Sequence, residues 1–555
     1  MALKIPADLR RPHIESVTLS IIVAGYLTAV NNATFWQRSQ ELLPTGALLA
    51  LVAGLFCLLA ALCITISVKY ATKPLFILLI MISATASWFV DKFGTIIDVE
   101  MLQSAIDTTN AEAGHLISFG FIRHVVLYGV LPSLLIIWVK IEHRTFWKKV
   151  KQNSAYIFPA LFIAVTIFML NASTFTSLGR EHREWIATLN PVMPIGNAVK
   201  LGIRSSKNQN IIVEPIGTDA KIASTTTGTR KPRLTIVIAG ETARAESFSL
   251  GGYKKNTNPE LASQDITYFS DTSSCGTITA VSLPCMFSVY TRDDYSHEKG
   301  LATENLLDVL KHAGVRVEWW DNNTGDKGIA DRVTSEALSG SDNPKYCKNG
   351  ECLDGIFLDK LDAWIPTVKQ DTVLVLHQLG SHGPAYYLRY PEEYRRFTPD
   401  CQSAEFSKCS REEILNAYNN SIAYTDHIVS SVINKLKDKQ DTLDTSLIYM
   451  SDHGESVGEF GLYLHGAPYF VAPSQQTQIP YVLWLGKDAK TTINQDCLAK
   501  EAPQPQSHDK LFHTVLGLMQ VKTQVYLPDL DTLASCRLKT TDPVVAQKLE
   551  PQTAK

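Results

Sequence analysis

Five long apolar runs crowd the first 176 residues, and beyond residue 200 the pattern changes to short β-branched runs separated by amphipathic stretches. A helix needs roughly 20 mostly apolar residues to cross a hydrocarbon layer of about 30 Å. The runs Val17–Trp36, Gly46–Val68, Pro74–Val90, Phe119–Ile141 and Tyr156–Phe175 reach or approach that length. One such run alone is also compatible with a buried core helix; five in succession predict a membrane-spanning unit. No small-residue cleavage site follows the first run, so it reads as a retained span rather than a signal peptide. Lys4, Arg10, Arg11, Lys69, Lys73, Lys140, Arg144, Lys148, Lys149 and Lys151 fall on one side of these spans, against only Arg38 and Lys92 on the other. That asymmetry predicts a cytoplasmic amino terminus, and an odd number of spans then carries everything after residue 176 out of the cytoplasm.

The stretch Ser177–Lys207 mixes charge with Trp185, Ile186, Leu189 and Val192, which predicts helices lying along the membrane face. Lys221–Pro232 reads as a polar linker. The expected units are therefore 1–176, 177–232 and 233–545. In the last, Leu234–Ala239, Val315–Trp320, Thr372–Leu376, Ser446–Met450 and Pro480–Leu485 read as buried strands of a parallel sheet with helices between them. Four of these five run directly into polar clusters: Glu241; Asp321, Asn322, Asn323 and Lys327; His377, Ser381 and His382; and Asp452 and His453. Ligands of open α/β sheets bind beyond the carboxyl ends of the strands, so these clusters are expected to share one crevice.

The net charge is −3, from 52 Lys and Arg against 55 Asp and Glu, which gives no general basic field for nucleic acid. Of ten cysteines, Cys57 and Cys63 sit in the second apolar run. The other eight fall after residue 270, as expected in an oxidising compartment. Their clustering favours Cys275 with Cys285, Cys347 with Cys352, Cys401 with Cys409 and, less directly, Cys497 with Cys536.

Each polar residue has a bland reading: Glu241 or Asp452 as a helix-start acid, His465 as a structural histidine, the hydroxyls of Ser274–Ser282 as caps. Together they read differently. Glu241, Asp452 and His453 form a donor set suited to Zn²⁺, with Mn²⁺ compatible by ligand type. A hydroxyl joining such a set, Thr277 or Thr279, becomes a nucleophile. Lys327, His377, His382 and His465 would face the oxygens of a transferring group. The combination describes metal-assisted phosphoryl or sulfuryl transfer. A sulfatase would want a modifiable Cys or Ser in a C-x-P-x-R or S-x-P-x-R context, which Thr279-Ala-Val-Ser lacks. A catalytically silent receptor would have no need of an intact ligand set.

Six ordered blocks carry a resemblance: Ile238–Glu246 (IAGETARAE), Ser274–Phe287 (SCGTITAVSLPCMF), Asp321–Gly328 (DNNTGDKG), His377–Pro384 (HQLGSHGP), Ser451–Ser456 (SDHGES) and Tyr463–Tyr469 (YLHGAPY). With these blocks and the five apolar runs, the chain resembles the bacterial inner-membrane phosphoethanolamine transferases of the alkaline phosphatase and sulfatase superfamily. That group contains the lipid A-modifying and mobile colistin-resistance enzymes. The resemblance implies five membrane helices joined to a periplasmic α/β/α sandwich. It implies Thr279 as nucleophile, and Glu241, Thr279, Asp452 and His453 around one tightly held zinc, with room for a second near His382 and His465. It further implies a donor site formed by Lys327, His382, His465, Asn323, Thr324 and His377. A loop after the third span, Asp107–Glu112, would add Thr108 and Glu112 at the ethanolamine end. Ile278 and Gly325 depart slightly from the family pattern without touching the chemistry. The implied reaction takes phosphoethanolamine from phosphatidylethanolamine to lipid A, with core sugar, periplasmic glucan or phosphoglycerol transfer as alternatives. The expected protein is a monomer in the inner membrane with no nucleic-acid partner.

Overall fold

The computed structural model describes residues 11–208, 211–223 and 230–538. Lys4, Arg10, the 224–229 part of the polar linker and the end of the 233–545 unit lie outside the described residues.

The apolar runs fold into α1 (Ser16–Ala29), α2 (Ala33–Leu42), α3 (Thr45–Ile66), α4 (Thr72–Phe93), α7 (Phe119–Trp138) and α8 (Phe146–Leu170). Four of these, α3, α4, α7 and α8, are each long and apolar enough to cross a membrane. The straight first span expected at Val17–Trp36 is corrected to a pair, α1 and α2, meeting at 65°. The break is built from buried amides. Asn32 Nδ2 donates to the Leu27 carbonyl at 2.7 Å and to that of Asn190 at 2.9 Å, while Asn190 N–H donates back to Asn32 Oδ1 at 2.7 Å. Side-chain donors thus satisfy carbonyls that a turning backbone releases in an apolar setting.

Other boundaries shift for local reasons. The fourth run ends at Trp138, because Lys140–Glu142 pairs in parallel with His13–Glu15. The last starts at Phe146 rather than Tyr156 and stops at Leu170; Asn171 then leads a separate helix, Ala172–Glu181. Between α4 and α7 lie two short helices, α5 (Val99–Asp107) and α6 (Asn110–Leu116). Asp98 and Thr109 cap them through the amides of Met101 and Glu112. Along the membrane-face stretch runs α9 (Val192–Asn208), whose Arg204 Nη1 donates to Glu100 of α5 at 2.6 Å.

The main sheet of the second half has seven strands: β1 (Arg233–Gly240), β2 (Ile266–Phe269), β3 (Arg316–Asp321), β4 (Thr334–Ala337), β5 (Thr372–His377), β6 (Asp444–Ser451) and β7 (Tyr481–Leu485). They lie in the order β2-β7-β6-β1-β5-β3-β4. β6, β1, β5, β3 and β4 are parallel, but β7 runs antiparallel to β6, and β2 antiparallel to β7. The expectation of a wholly parallel sheet is corrected at that edge.

Strand alternation sorts the core into two layers. Ile236, Ile238, Leu374, Leu376, Leu447 and Tyr449 pack on one face with Tyr418, Ile422, Val429 and Ile433 of the helix Arg411–Lys437. Val237, Ala239, Val373, Val375, Ile448 and Met450 pack on the other with Leu283, Met286, Leu307, Phe512 and Val515. Each fully buried aliphatic side chain contributes about 1.5–3 kcal/mol, so both layers hold the sheet rigidly beneath the loops at its carboxyl edge. The result is an α/β/α sandwich attached to a helical membrane unit.

All four cysteine pairs are bridged as expected, while Cys57 and Cys63 stay free in α3. Cys497–Cys536 spans the longest separation, 39 residues, and so constrains the unfolded chain most. Replacing both of these cysteines with serine is expected to cost about 3–4 kcal/mol, read by thermal unfolding without reductant. An unchanged midpoint would mean that the bridge constrains nothing.

Candidate metal centre and active site

Sheet register brings the polar clusters together. Met450, Ala239, His377 and Asp321 are cross-strand neighbours at the carboxyl edge, and Glu241 and Asp452 stand one residue beyond the paired Gly240 and Ser451. Gly380, at φ 53°, lets the loop after β5 pass over Glu241: a Cβ there would lie 2.6 Å from the Glu241 carbonyl oxygen. Asp354, which no sequence signal singled out, accepts the Leu379 and Gly380 amides at 2.9 Å each and fixes this loop.

Thr279 is the first residue of a helix, Thr279–Met286. The Cys275–Cys285 bridge brackets its entry. Ser282 Oγ accepts from Gly276 N–H at 3.1 Å and donates to the Asp452 carbonyl; Cys275 N–H donates to Nδ1 of His508, whose Nε2 lies 2.8 Å from the Ser451 carbonyl. These bonds tie the loop before Thr279 to the end of β6. Thr277, the other hydroxyl considered, instead donates to the Ala467 carbonyl at 2.7 Å.

Among the described residues, one cluster brings three potential ligand atoms within 4.8 Å of one another: Glu241, Asp452 and His453, all buried. Thr279 Oγ1 lies 3.2 and 3.3 Å from the Glu241 carboxylate oxygens and 3.3 Å from His453 Nε2. The donor set fits a cation. Asp452 Oδ1 accepts the amides of Thr242 and His453, leaving Oδ2 buried without a hydrogen-bond partner. His453 Nδ1 lies 2.9 Å from the Gly454 carbonyl, so Nε2 presents its lone pair to the same space. Burial pushes the Asp452 carboxyl up to about 6 and His453 down to about 3, with the neighbouring His465 also lowering the latter. Burial, and then Asp452, raises Glu241. Two acids and a neutral imidazole crowded out of water are compensated best by a shared cation.

Asn323 Nδ2 donates to Glu241 Oε2 at 2.6 Å and sits 3.3 Å from His377 Nε2. His377 Nδ1 is in turn 2.7 Å from Asp321, which also accepts from Trp319 at 3.0 Å. His377 therefore lies behind the ligand row, buttressing it, rather than on the cleft. Asp321 was legible only as one more acid after its strand.

Over this row lies a narrow polar cleft lined by Thr279, Thr324, Lys327, His382 and His465 from the sandwich and by Ser104, Asp107, Thr108 and Glu112 from the membrane unit. It holds about 10 Å³, room for one water. Lys327 Nζ lies 3.5 Å from Asp107 and donates to the Thr324 carbonyl at 2.9 Å; His382 Nε2 lies 3.4 Å from Glu112. His382 and His465 face each other with ring centroids 5.6 Å apart. Burial alone would depress His465, but Glu455 at 2.9 Å outweighs it and pushes the imidazole up to about 9. Glu455, two residues past His453, is the polar partner that sequence reasoning missed. Arg389 was missed as well: it clamps Glu351 at 2.8 and 3.1 Å and donates to the His382 carbonyl at 2.8 Å.

Known proteins match both halves of the chain. Residues 233–521 match the sulfatase family model and residues 55–205 match the model for phosphoethanolamine transferase EptA/EptB. The chain is 38% identical over 542 residues to phosphoethanolamine transferase EptA of Escherichia coli strain K12, covering 95% of this chain and 98% of that one. It is 35% identical over 526 residues to phosphatidylethanolamine transferase Mcr-1 of Escherichia coli, covering 92% and 96%. The solved structure of the integral membrane lipooligosaccharide phosphoethanolamine transferase A of Neisseria meningitidis superposes with a TM-score of 0.91 at 37% identity, over 95% of this chain and all of that one. With both halves matched and nearly the whole chain superposing on a solved relative, the chain belongs to the EptA and Mcr family of phosphoethanolamine transferases.

Proposed function

We propose that this protein moves phosphoethanolamine from phosphatidylethanolamine to a phosphate of lipid A, by way of a phospho-Thr279 intermediate, at the periplasmic face of the inner membrane. One observation carries the reading: a threonine hydroxyl within 3.3 Å of Glu241 and His453 opens on a cleft whose opposite wall belongs to the membrane unit. Related proteins point to lipid acceptors, among them the Kdo(2)-lipid A phosphoethanolamine 7''-transferase of Escherichia coli strain K12, 24% identical over 554 residues.

Glu241, Asp452 and His453 would hold zinc with the Thr279 hydroxyl. The ion supplies Lewis acidity, easing loss of the hydroxyl proton and offsetting charge on the phosphoryl oxygens. Thr279 Oγ1 bonds to the donor phosphorus as the phosphorus–oxygen bond to diacylglycerol breaks. The Thr279 proton has the Glu241 carboxylate within reach. His465, kept protonated by Glu455, stands in the cleft to protonate the departing glycerol oxygen. An acceptor phosphate oxygen then attacks the phospho-threonine, and Thr279 Oγ1 leaves and recovers a proton. Lys327 answers the phosphoryl charge, while Thr108 and Glu112 suit the ethanolammonium. A second zinc near His382 and His465 would displace the proton from His465, so it is an alternative to the acid role. Mass spectrometry of lipid A from cells with and without the protein tests the acceptor. Lipid A gaining phosphoethanolamine only when the protein is present is expected; modification of core sugar or glucan alone would move the assignment there.

A further inference from the structure

A second and larger cleft, of about 280 Å³, lies where the soluble-domain end of α4 meets the loop closed by Cys401–Cys409. Trp88, Lys92 and Phe93 form one side, Phe406 and Tyr463 the other, and His115 the corner nearest the active site. The aromatic rings are continuous across it: Phe93 meets Phe406 edge-on at 6.1 Å, and Phe406 meets Tyr463 at 5.2 Å. Lys92 Nζ lies 5.7 Å from the Trp88 ring centroid and forms no ion pair among the described residues, whereas Glu405 at the rim is paired with Lys408 at 3.3 Å. A lysine and a tryptophan in the last turns of a membrane helix are ordinary anchors at the lipid interface. These two, however, open on a cavity that adjoins the catalytic cleft. Tyr463 precedes His465 by two residues, Pro384 follows His382 by two, and His115 follows Glu112 by three.

We propose that this cleft is an acceptor subsite, in which Lys92 receives one phosphate of an anionic membrane lipid and the aromatic walls take its apolar and sugar surfaces. A second phosphate of the same molecule then reaches Thr279. Two observations select this occupant. The cleft is lined by the last turns of α4, a helix long and apolar enough to cross a membrane, which gives a lipid a path into it along that helix. Its unanswered charge is cationic, and the donor has no anion left to meet it, since the donor's only phosphate is the one that reacts at Thr279. The inference rests on the lipid A reading above.

The test uses full-length protein in phosphatidylethanolamine nanodiscs, with lipid A carrying either two phosphates or one as acceptor. Wild type is expected to prefer the doubly phosphorylated lipid. Lys92→Ala should raise KM for that acceptor about tenfold and erase the preference, while diacylglycerol release from the donor without acceptor stays unchanged. Lys92→Arg should retain the preference, and Ser407→Trp, which fills the cleft, should raise KM for both acceptors. An unchanged preference in Lys92→Ala, or a slower donor half-reaction in either cleft variant, overturns the subsite; the latter would give the cavity to diacylglycerol. Wild type inert toward both forms of lipid A would instead remove the acceptor reading itself, and the subsite with it.

Discussion

Thr279→Ala is expected to lower transfer by at least about a thousandfold and to leave no phosphoethanolamine on the protein. The substitution removes one hydroxyl from the first position of a short helix, where alanine is well tolerated, and leaves intact the Ser282 and Cys275 bonds that hold the loop. Folding should therefore change little, and thermal unfolding of the variant should match wild type within a few degrees. Intact-protein mass after exposure to donor without acceptor reads the intermediate directly. Wild type gains one phosphoethanolamine and the variant none, while Thr279→Ser, with a hydroxyl at the same place, regains part of the signal. Full transfer by Thr279→Ala would refute the nucleophile assignment, whatever the status of the metal.

The next largest effect is expected at Asp452. Its Oδ1 is held by two backbone amides and its Oδ2 is buried without a partner, so Asp452→Asn keeps the amide-accepting oxygen and alters only the ligand oxygen. Zinc affinity should fall at least about a hundredfold, and transfer with it. Stability supplies a second reading. An ion bound only by the folded chain at a thousand times its Kd adds about 4 kcal/mol. Chelation should therefore lower the wild-type unfolding midpoint by several degrees, and added zinc should restore it. In Asp452→Asn a site weakened a hundredfold keeps about 1.4 kcal/mol of that, so both shifts should shrink to about a third or less. A variant that holds zinc as tightly as wild type would exclude Asp452 from the ligand set.

Legibility followed the physics of each signal. Four strands ending in acids, amides and histidines were readable because doubly covered strands are continuous apolar runs, so the first polar residue marks the exit. The edge strands β2 and β4 were not: Thr334–Ala337 is exposed throughout and carries no hydrophobic period. The direction of β7 was also hidden, because a buried run reads alike in both directions. At the first membrane run, hydropathy averaged over Asn32, whose side-chain amide turns the backbone only with Asn190 as partner, far along the chain. Glu455, Asp354 and Arg389 were likewise hidden as supporting residues. Each acts through a neighbour that folding supplies, whereas Glu241, Asp452 and His453 were marked by their own chemistry and position, and Thr279 was separated from Thr277 only by the family resemblance.

The catalytic cleft takes one wall from each half of the molecule, with Gly466, beside His465, approached so closely by Met101 of α5 that a Cβ there would lie 2.5 Å from its Cε. In a chimera carrying a relative's membrane helices, the headgroup preference should travel with the graft although every bond-making atom stays in the recipient. A fragment cut after residue 230 would keep the reactive centre and be blind to the ammonium.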